Sequence, residues 1–396
     1  MRDADVVVVG AGAAGLSLAR ELTAGSGPGP ACSVLLVEPP PGPRRSPERT
    51  WCFWGEPGAA PDPLASASWE RLAVRGRDGG PVTGSSARRY QMIRSADFTR
   101  ALDAELAAVP GVARYTGTVT GVADDGPHGA AVSGLDTAGR PFRLRGRWVF
   151  DSRPPRVLPP ARTTLLQHFR GWFVSTAEDR FDPGTAELMD FRTPQPRRGL
   201  SFAYVLPFTP REALVEYTEF SPAPLGDAGY AEALRHYTER VRPLGTFTVT
   251  RAEQGVIPMT DAVFPRRAGR SVFRVGTAGG ATRPATGYTF AAVRRQSAAI
   301  AAAYRAGAAP VPPRPHARRH RAMDAALLRA LATGRVDGAA FFEDLFRRNP
   351  LERVLRFLDG RSSPAEEVAI GLRSPVLPMA RSLAELPLLP RRAPVG

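Results

Sequence analysis

The stretch Val6-Val7-Val8-Val9-Gly10-Ala11-Gly12-Ala13-Ala14-Gly15 decides the fold. Its unbroken β-branched run predicts a strand buried on both faces of a parallel sheet. The run breaks into Gly-x-Gly-x-x-Gly and continues as a helix-forming segment from Leu16 to Leu22. Gly10 permits the tight turn, Gly12 lets a pyrophosphate approach the backbone, and Gly15 lets helix and strand pack closely. Ala13 and Ala14 open the helix, where free N–H groups face the phosphate charge. A second apolar strand, Val34-Leu35-Leu36-Val37, ends in Glu38, placed to accept a hydrogen bond from a ribose hydroxyl. Strand, glycines, helix, strand and terminal acid in this order predict a dinucleotide-binding unit.

Outward from that unit, a length of 396 residues is more than one domain of ~100–200 residues needs. A hydrophobic fraction of 43% suffices for a sizeable core. The formal charge is +15 and every basic residue is arginine, which together with 40 Pro and 39 Gly reflects in part a GC-rich coding bias. No recognisable nucleic-acid module accompanies the arginines, so an anionic bilayer surface is the better match for the charge. Cys32 and Cys52 show no metal-ligand spacing, and no metal is expected; so few cysteines suit a reducing cytoplasm. Only Met1 to Asp5 precede the first strand, so no signal peptide is expected. No apolar run reaches the ~18–20 residues of a membrane span. The expectation is a cytoplasmic protein that lies on a membrane without crossing it.

Further along, Trp51, Phe53 and Trp54 crowd one short stretch, either as a core plug or as an aromatic wall at a ligand site. Alternation around Leu72 to Arg75 predicts a second sheet, and Tyr90 to Arg94 leads into an amphipathic helix from Ser95 to Ala107. Segments 112–122 and 140–150 return to the nucleotide sheet, the latter ending in Asp151, which either contacts the cofactor or caps the next turn. A β-rich insert with runs at 165–174, 187–191, 202–206 and 213–220 follows. A late strand at 271–276 then opens into a glycine-rich turn from Thr277 to Tyr288 and an Ala-rich helix at 289–306. Two glycine turns separated by a β insert predict FAD in an extended pose. After a Pro-rich linker at 307–316, helices carry Phe341, Phe342, Leu345, Phe346, Leu351, Leu355 and Leu358 at helical spacing between arginines. They either pack on the body or lie in a membrane interface.

With these motifs in order, the chain resembles the flavin-dependent lycopene cyclases. The resemblance rests on Gly10–Gly15, Thr50-Trp51, Leu188-Met189-Asp190-Phe191-Arg192, Phe202 to Pro207 and Ala213 to Thr218. Gly255-Val256-Ile257-Pro258-Met259, Arg283-Pro284-Ala285-Thr286-Gly287-Tyr288 and the segment 342–360 complete it. It implies an α/β fold: a Rossmann-like FAD domain of the glutathione-reductase and hydroxylase type, a β-rich substrate domain and a helical C-terminal region. The expected boundaries are 1–68, 90–160 and 255–306 for the first, 69–89 and 161–254 for the second, and 307–396 for the third.

The implied reaction is a cyclisation without net redox change that needs reduced FAD, with NAD(P)H as electron source. An acid protonates the terminal double bond of a linear ψ-end group, the resulting cation closes a ring, and a proton is lost. Glu216 matches the family's catalytic glutamate, and Asp190 is a second candidate unless Arg192 occupies it. The residue after Glu216 is Tyr217, where relatives carry a second acid, and strand alternation sends the two to opposite faces. Candidate cofactor contacts besides the first glycine turn and Glu38 are Arg94, Asp151, Gly276, Gly279, Gly280, Thr286, Gly287 and Tyr288. Candidate substrate contacts are Trp51, Phe53, Trp54, Tyr204 and Thr218, with Trp51 the preferred aromatic. The rivals are a flavin monooxygenase, a geranylgeranyl-reductase-like enzyme and a non-catalytic prenyl-cargo binder. The Asp-Gly and Gly-Asp pairs usual in hydroxylases are replaced here by Asp151-Ser152 and Gly276-Thr277.

Overall fold

The computed structural model describes residues 3–24 and 32–393. The Val6–Val9 run lies in strand β1 (Ala4–Val9), followed by helix α1 (Ala13–Thr23) and β2 (Val34–Glu38). Val6, Val7 and Val8 are fully buried, as a strand covered on both faces requires. After β3 (Thr50–Trp54), β4 (Ala67–Arg75), β5 (Pro81–Arg94) and α2 (Ser95–Ala107), the chain returns as β6 (Val112–Asp124), β7 (Ala130–Asp136) and β8 (Pro141–Asp151). The insert contributes β9 (Thr164–Thr176), β10 (Thr185–Asp190), β11 (Leu200–Pro207), β12 (Glu212–Ser221), α3 (Asp227–His236) and β13 (Phe247–Thr260). β14 (Val272–Arg274) and α4 (Phe290–Arg305) flank the late glycine turn. The tail is helical: α5 (Arg318–Ala332), α6 (Gly338–Arg348), α7 (Leu351–Leu358), α8 (Pro364–Gly371) and α9 (Val376–Glu385).

Two sheets organise these elements. In the first, β6, β2, β1, β8 and β14 run parallel in that order, and β7 joins β6 to β8 antiparallel. The second runs β13-β9-β12-β11-β10-β4-β5-β3. The expected boundaries shift accordingly. Segments 50–54, 90–94 and 255–260, assigned above to the nucleotide domain, belong to the second sheet, because β3 pairs along β5 and β13 along β9. One face of this sheet carries Ala203, Val205, Val215 and Tyr217 beneath Tyr230 and Leu234 of α3. The other carries Leu165, Phe202, Leu206, Leu214 and Phe220 beneath α5, α6 and α7.

Helices α6 and α7 therefore serve the core with the residues singled out in the sequence. Phe341, Phe342, Leu345, Phe346, Leu355 and Leu358 are all buried, at 8%, 2%, 4%, 6%, 0% and 5% exposure. Turning them outward to a bilayer would uncover Leu165, Phe202, Leu206, Leu214 and Phe220 of the sheet face, at ~1.5–3 kcal/mol for each side chain left in water. A membrane contact through these residues is thus overturned. Exposed apolar side chains sit further on, at Val368, Leu372, Val376, Leu377, Leu383 and Leu388. No helix among the described residues is long and apolar enough to cross a membrane.

Candidate active site

β12 lies between β9 and β11, so alternation assigns its side chains strictly to one face or the other. Leu214, Glu216, Thr218 and Phe220 share the face covered by the tail helices, while Tyr217 turns toward α3. Glu216 sits opposite Tyr204 of β11 and Gly171 of β9, and Gly171 in turn sits opposite Glu253 of β13. A Cβ on Gly171 would stand 2.7 Å from Leu214 Cδ1, 3.4 Å from Glu253 Cγ and 3.5 Å from Glu216 Cβ, so the glycine makes room for these three side chains with a glutamate on each flank. β3 crosses beyond, and Thr50 Oγ1 donates to Glu253 Oε2 at 2.8 Å.

Burial decides the chemistry of these carboxyls. Glu216 is 9% exposed and its pKa is pushed up to about 8, first by desolvation and then by the charge of Glu253. The Thr218 hydroxyl, donating to Glu216 Oε1 at 2.7 Å, opposes this. Burial leaves Glu253 raised as well, though less freely, because the Thr50 hydroxyl and the guanidinium groups of Arg251, Arg49 and Arg94 offset part of the lift. Around Glu216 the wall is aromatic: Tyr90 OH is bonded to Tyr204 OH and lies 3.2 Å from Tyr288 OH. The Trp54 ring stands 5.3 Å from Tyr90 and 4.5 Å from Tyr288. Desolvation raises the Cys52 thiol to about 12, so it remains a neutral small group in this wall.

Several expected residues lie elsewhere. Asp190 faces the α3 side, where Arg192 holds both its oxygens (Nε to Oδ1 2.9 Å, Nη2 to Oδ2 2.5 Å) and Tyr237 OH donates at 2.7 Å. A carboxylate so saturated, on the opposite face, cannot share a site with Glu216. Trp51 and Phe53 also turn away: Trp51 stacks on Phe290 at 5.5 Å and 16°, in the nucleotide-domain core. The aromatic on Glu216's side is Trp54, because odd and even positions of β3 face opposite ways. The Arg94 guanidinium lies over Phe173 and Phe208, at 5.3 and 5.6 Å from the ring centroids. There it lines an open cleft of about 580 Å³ with Arg100 and Thr250, so it does not reach the glycine turns. Glu38 is held by Arg114 at 2.9 Å and Arg45 at 3.4 Å, and Asp151 is bidentate to Arg153. Glu253, Tyr90, Cys52 and Thr50 join the site without having been picked out in the sequence.

The two glycine turns fit a dinucleotide. Gly10 adopts φ +97° and Gly12 has open space where a Cβ would stand, while a Cβ on Gly15 would meet Gly10 O at 1.8 Å. Gly276 (φ +64°) abuts this turn, its notional Cβ 2.8 Å from Ala14 Cβ; Gly279 and the left-handed Gly280 close the turn against β14. Residues 281–287 then carry the chain across to the second sheet, where Gly287 stands against Gln167 of β9. At that crossing Thr286 Oγ1, Gln167 Oε1 and Trp54 Nε1 are buried without hydrogen-bond partners. Buried polar atoms are seldom left so, and three together fit the edge of a polar ligand.

The family model described as "Lycopene cyclase protein" matches residues 5–384. No curated protein sequence matches the chain. Among solved structures it is similar to a geranylgeranyl bacteriochlorophyll reductase-like protein from Thermoplasma acidophilum, with TM-score 0.67 and 14% identity over 97% of this chain and 99% of that one. It is also similar to p-nitrophenol 4-monooxygenase from Pseudomonas putida, with TM-score 0.61 and 16% identity over 99% and 100%. A flavoprotein/dehydrogenase from Cytophaga hutchinsonii gives TM-score 0.62 and 14% identity over 96% and 98%. The fold is that of these flavoproteins.

Proposed function

Because the chain belongs to the lycopene cyclase family, we propose that it cyclises the linear ψ-end groups of lycopene, or a related isoprenoid, to β-type rings without net redox change. The observation that carries the reading is the Glu216 carboxyl, protonated at neutral pH inside an aromatic wall. In the proposed cycle Glu216 gives its proton to the terminal double bond, leaving a tertiary cation. The neighbouring double bond closes on that cation, and loss of a ring proton to the carboxylate restores the acid. Trp54, Tyr90, Tyr204 and Tyr288 exclude water and offer π faces to the cation, worth ~0.5–2 kcal/mol each where desolvated. Gly10, Gly12, Gly15, Gly276 and Gly280 would hold FAD. Reduced FAD, with NAD(P)H as its source of electrons, would contribute negative charge that stabilises the cation.

A hydrocarbon substrate is collected from a bilayer, and we place that contact on the segment 372–392, which includes α9 and the chain on either side of it. There Leu372, Val376, Leu377 and Leu388 are exposed beside the exposed Arg373, Arg381 and Arg392, a pairing suited to an anionic surface. The protein is accordingly read as cytoplasmic and peripheral.

The test is anaerobic incubation of the reduced flavoprotein with lycopene in liposomes. A product of unchanged mass, without stoichiometric loss of reductant, supports cyclisation. Added hydrogen points to a reductase, added oxygen under air to a monooxygenase, and no product at all to a cargo binder. Glu216→Gln, which keeps shape and removes the acid, should lower the rate by ~10²-fold or more.

A further inference from the structure

Across the strand row Glu216–Gly171–Glu253, two glutamates flank a glycine whose missing side chain makes room for both of them and for Leu214 Cδ1. The surroundings of the two are unlike. Glu253 is bonded by Thr50 Oγ1 at 2.8 Å, Arg251 Nη2 lies 3.8 Å from its Oε2, and Arg49 and Arg94 add positive charge. Among the described residues, the groups named at Glu216 besides Glu253 are neutral: Thr218 on its own strand, Tyr204 on β11, and Cys52 of β3, which itself touches Tyr90. Arg251 Nη2 is buried without a hydrogen-bond partner, while Nη1 of the same guanidinium bonds Glu48 Oε2 at 3.2 Å and the group lies 3.9 Å from the Phe173 ring centroid.

We propose that Glu253 is a positioning residue of the same site: the two glutamates hold one proton between them, Glu253 is the ionised member, and its fixed charge keeps the proton on Glu216. The inference rests on the cyclase reading for its purpose, though not for its geometry. Two carboxylates facing each other across one strand in a dry site disfavour joint ionisation, and the cations decide which of the two carries the charge. The raised Glu216 carboxyl, with Glu253 as its second cause, agrees. The second acid that the family places next to Glu216 along the chain, and that Tyr217 replaces here, is thus supplied through space from β13.

The experiment compares wild type, Glu253→Gln and Glu253→Asp, each loaded with FAD, over pH 5 to 9. Glu253→Gln preserves the acceptor for Thr50 and removes the charge. Its rate should stay within about threefold of wild type at the acid end and fade as pH rises at least about one pH unit earlier. Glu253→Asp, which retains the charge, should keep the wild-type limb. A second measurement is independent of turnover: the infrared band of the protonated Glu216 carboxyl, assigned by its loss in Glu216→Gln, should titrate at lower pH in Glu253→Gln. A band that titrates at the same pH in both proteins overturns the pair, as does a rate lowered equally at every pH. If the band moves as expected while lycopene yields no ring, the cyclase reading fails and the pair stands.

Discussion

The raised Glu216 carboxyl must show itself in stability as well as in rate. Its pKa is about 8 in the folded chain and 4.5 in the unfolded one. Between those values the folded state binds the proton and the unfolded state does not, so stability falls as pH rises. The fall is about 1.4 kcal/mol per pH unit, hence about 4 kcal/mol between pH 5 and pH 8. Glu216→Gln has no proton to lose and escapes it, while the remaining titrating groups are nearly common to the two proteins. At ~2–4 °C per kcal/mol for a folding unit of 150–250 residues, the melting temperature of wild type should drop relative to the variant by roughly 10 °C over that range. Melts of the two cofactor-free proteins, run in parallel at half-unit steps of pH, measure this directly. A melting-temperature difference that stays constant from pH 5 to pH 8 refutes the buried acid, and with it the proton donor of the proposed reaction.

Other expectations follow from the packing. Trp54→Leu should slow cyclisation by about 2- to 30-fold with the fold intact, as loss of a π face at a cation does, whereas Trp51→Leu should mainly lower the melting temperature. Arg283 and Asp324 are 2% and 3% exposed and joined at 3.2–3.3 Å, so Asp324→Asn leaves a buried guanidinium without its counter-charge and should cost about 3–5 kcal/mol by denaturant titration. Unchanged stability would mean that the ion pair is replaced without cost. Leu377→Ser with Leu388→Ser should weaken cosedimentation with anionic liposomes at an unchanged melting temperature. Phe341→Ser with Phe346→Ser should instead lower the melting temperature.

How far the sequence carries depends on the range of the interactions. The first sheet was legible because Val6–Val9 and Val34–Val37 are buried on both faces, and a glycine turn joined to such strands has few other uses. Alternation along β12 separates Glu216 from Tyr217 without knowledge of any partner strand. The partnership of Glu216 with Glu253 was not legible, because it depends on two registers and on Gly171, which carries no side chain to notice. Asp190 ends β10 and Arg192 lies two residues on in the turn that follows, and that local proximity favours their ion pair over a catalytic role. In the tail, an apolar stripe at helical spacing is the same whether it meets lipid or the Phe202–Leu206 face. Only the second sheet's need for a cover distinguishes the two, and that need arises from residues far back in the chain.

The placement of that cover has a consequence for how the protein is made. The strands that bear Glu216 and Glu253 are complete once residue 260 has emerged, but their covering helices begin at Arg318 and the apolar contacts continue to Ile370. At ~5–20 residues per second, a ribosome takes several seconds to make that stretch. For those seconds the nascent chain displays a broad apolar sheet face with its aromatic side chains in water. A ribosome that stalls beyond α4 would release a chain whose nucleotide sheet is entire and whose second sheet lies bare on one side. Such a chain needs a chaperone or aggregates, so the yield of this protein in a foreign host should respond to translation speed over residues 261–370 more than to any change upstream.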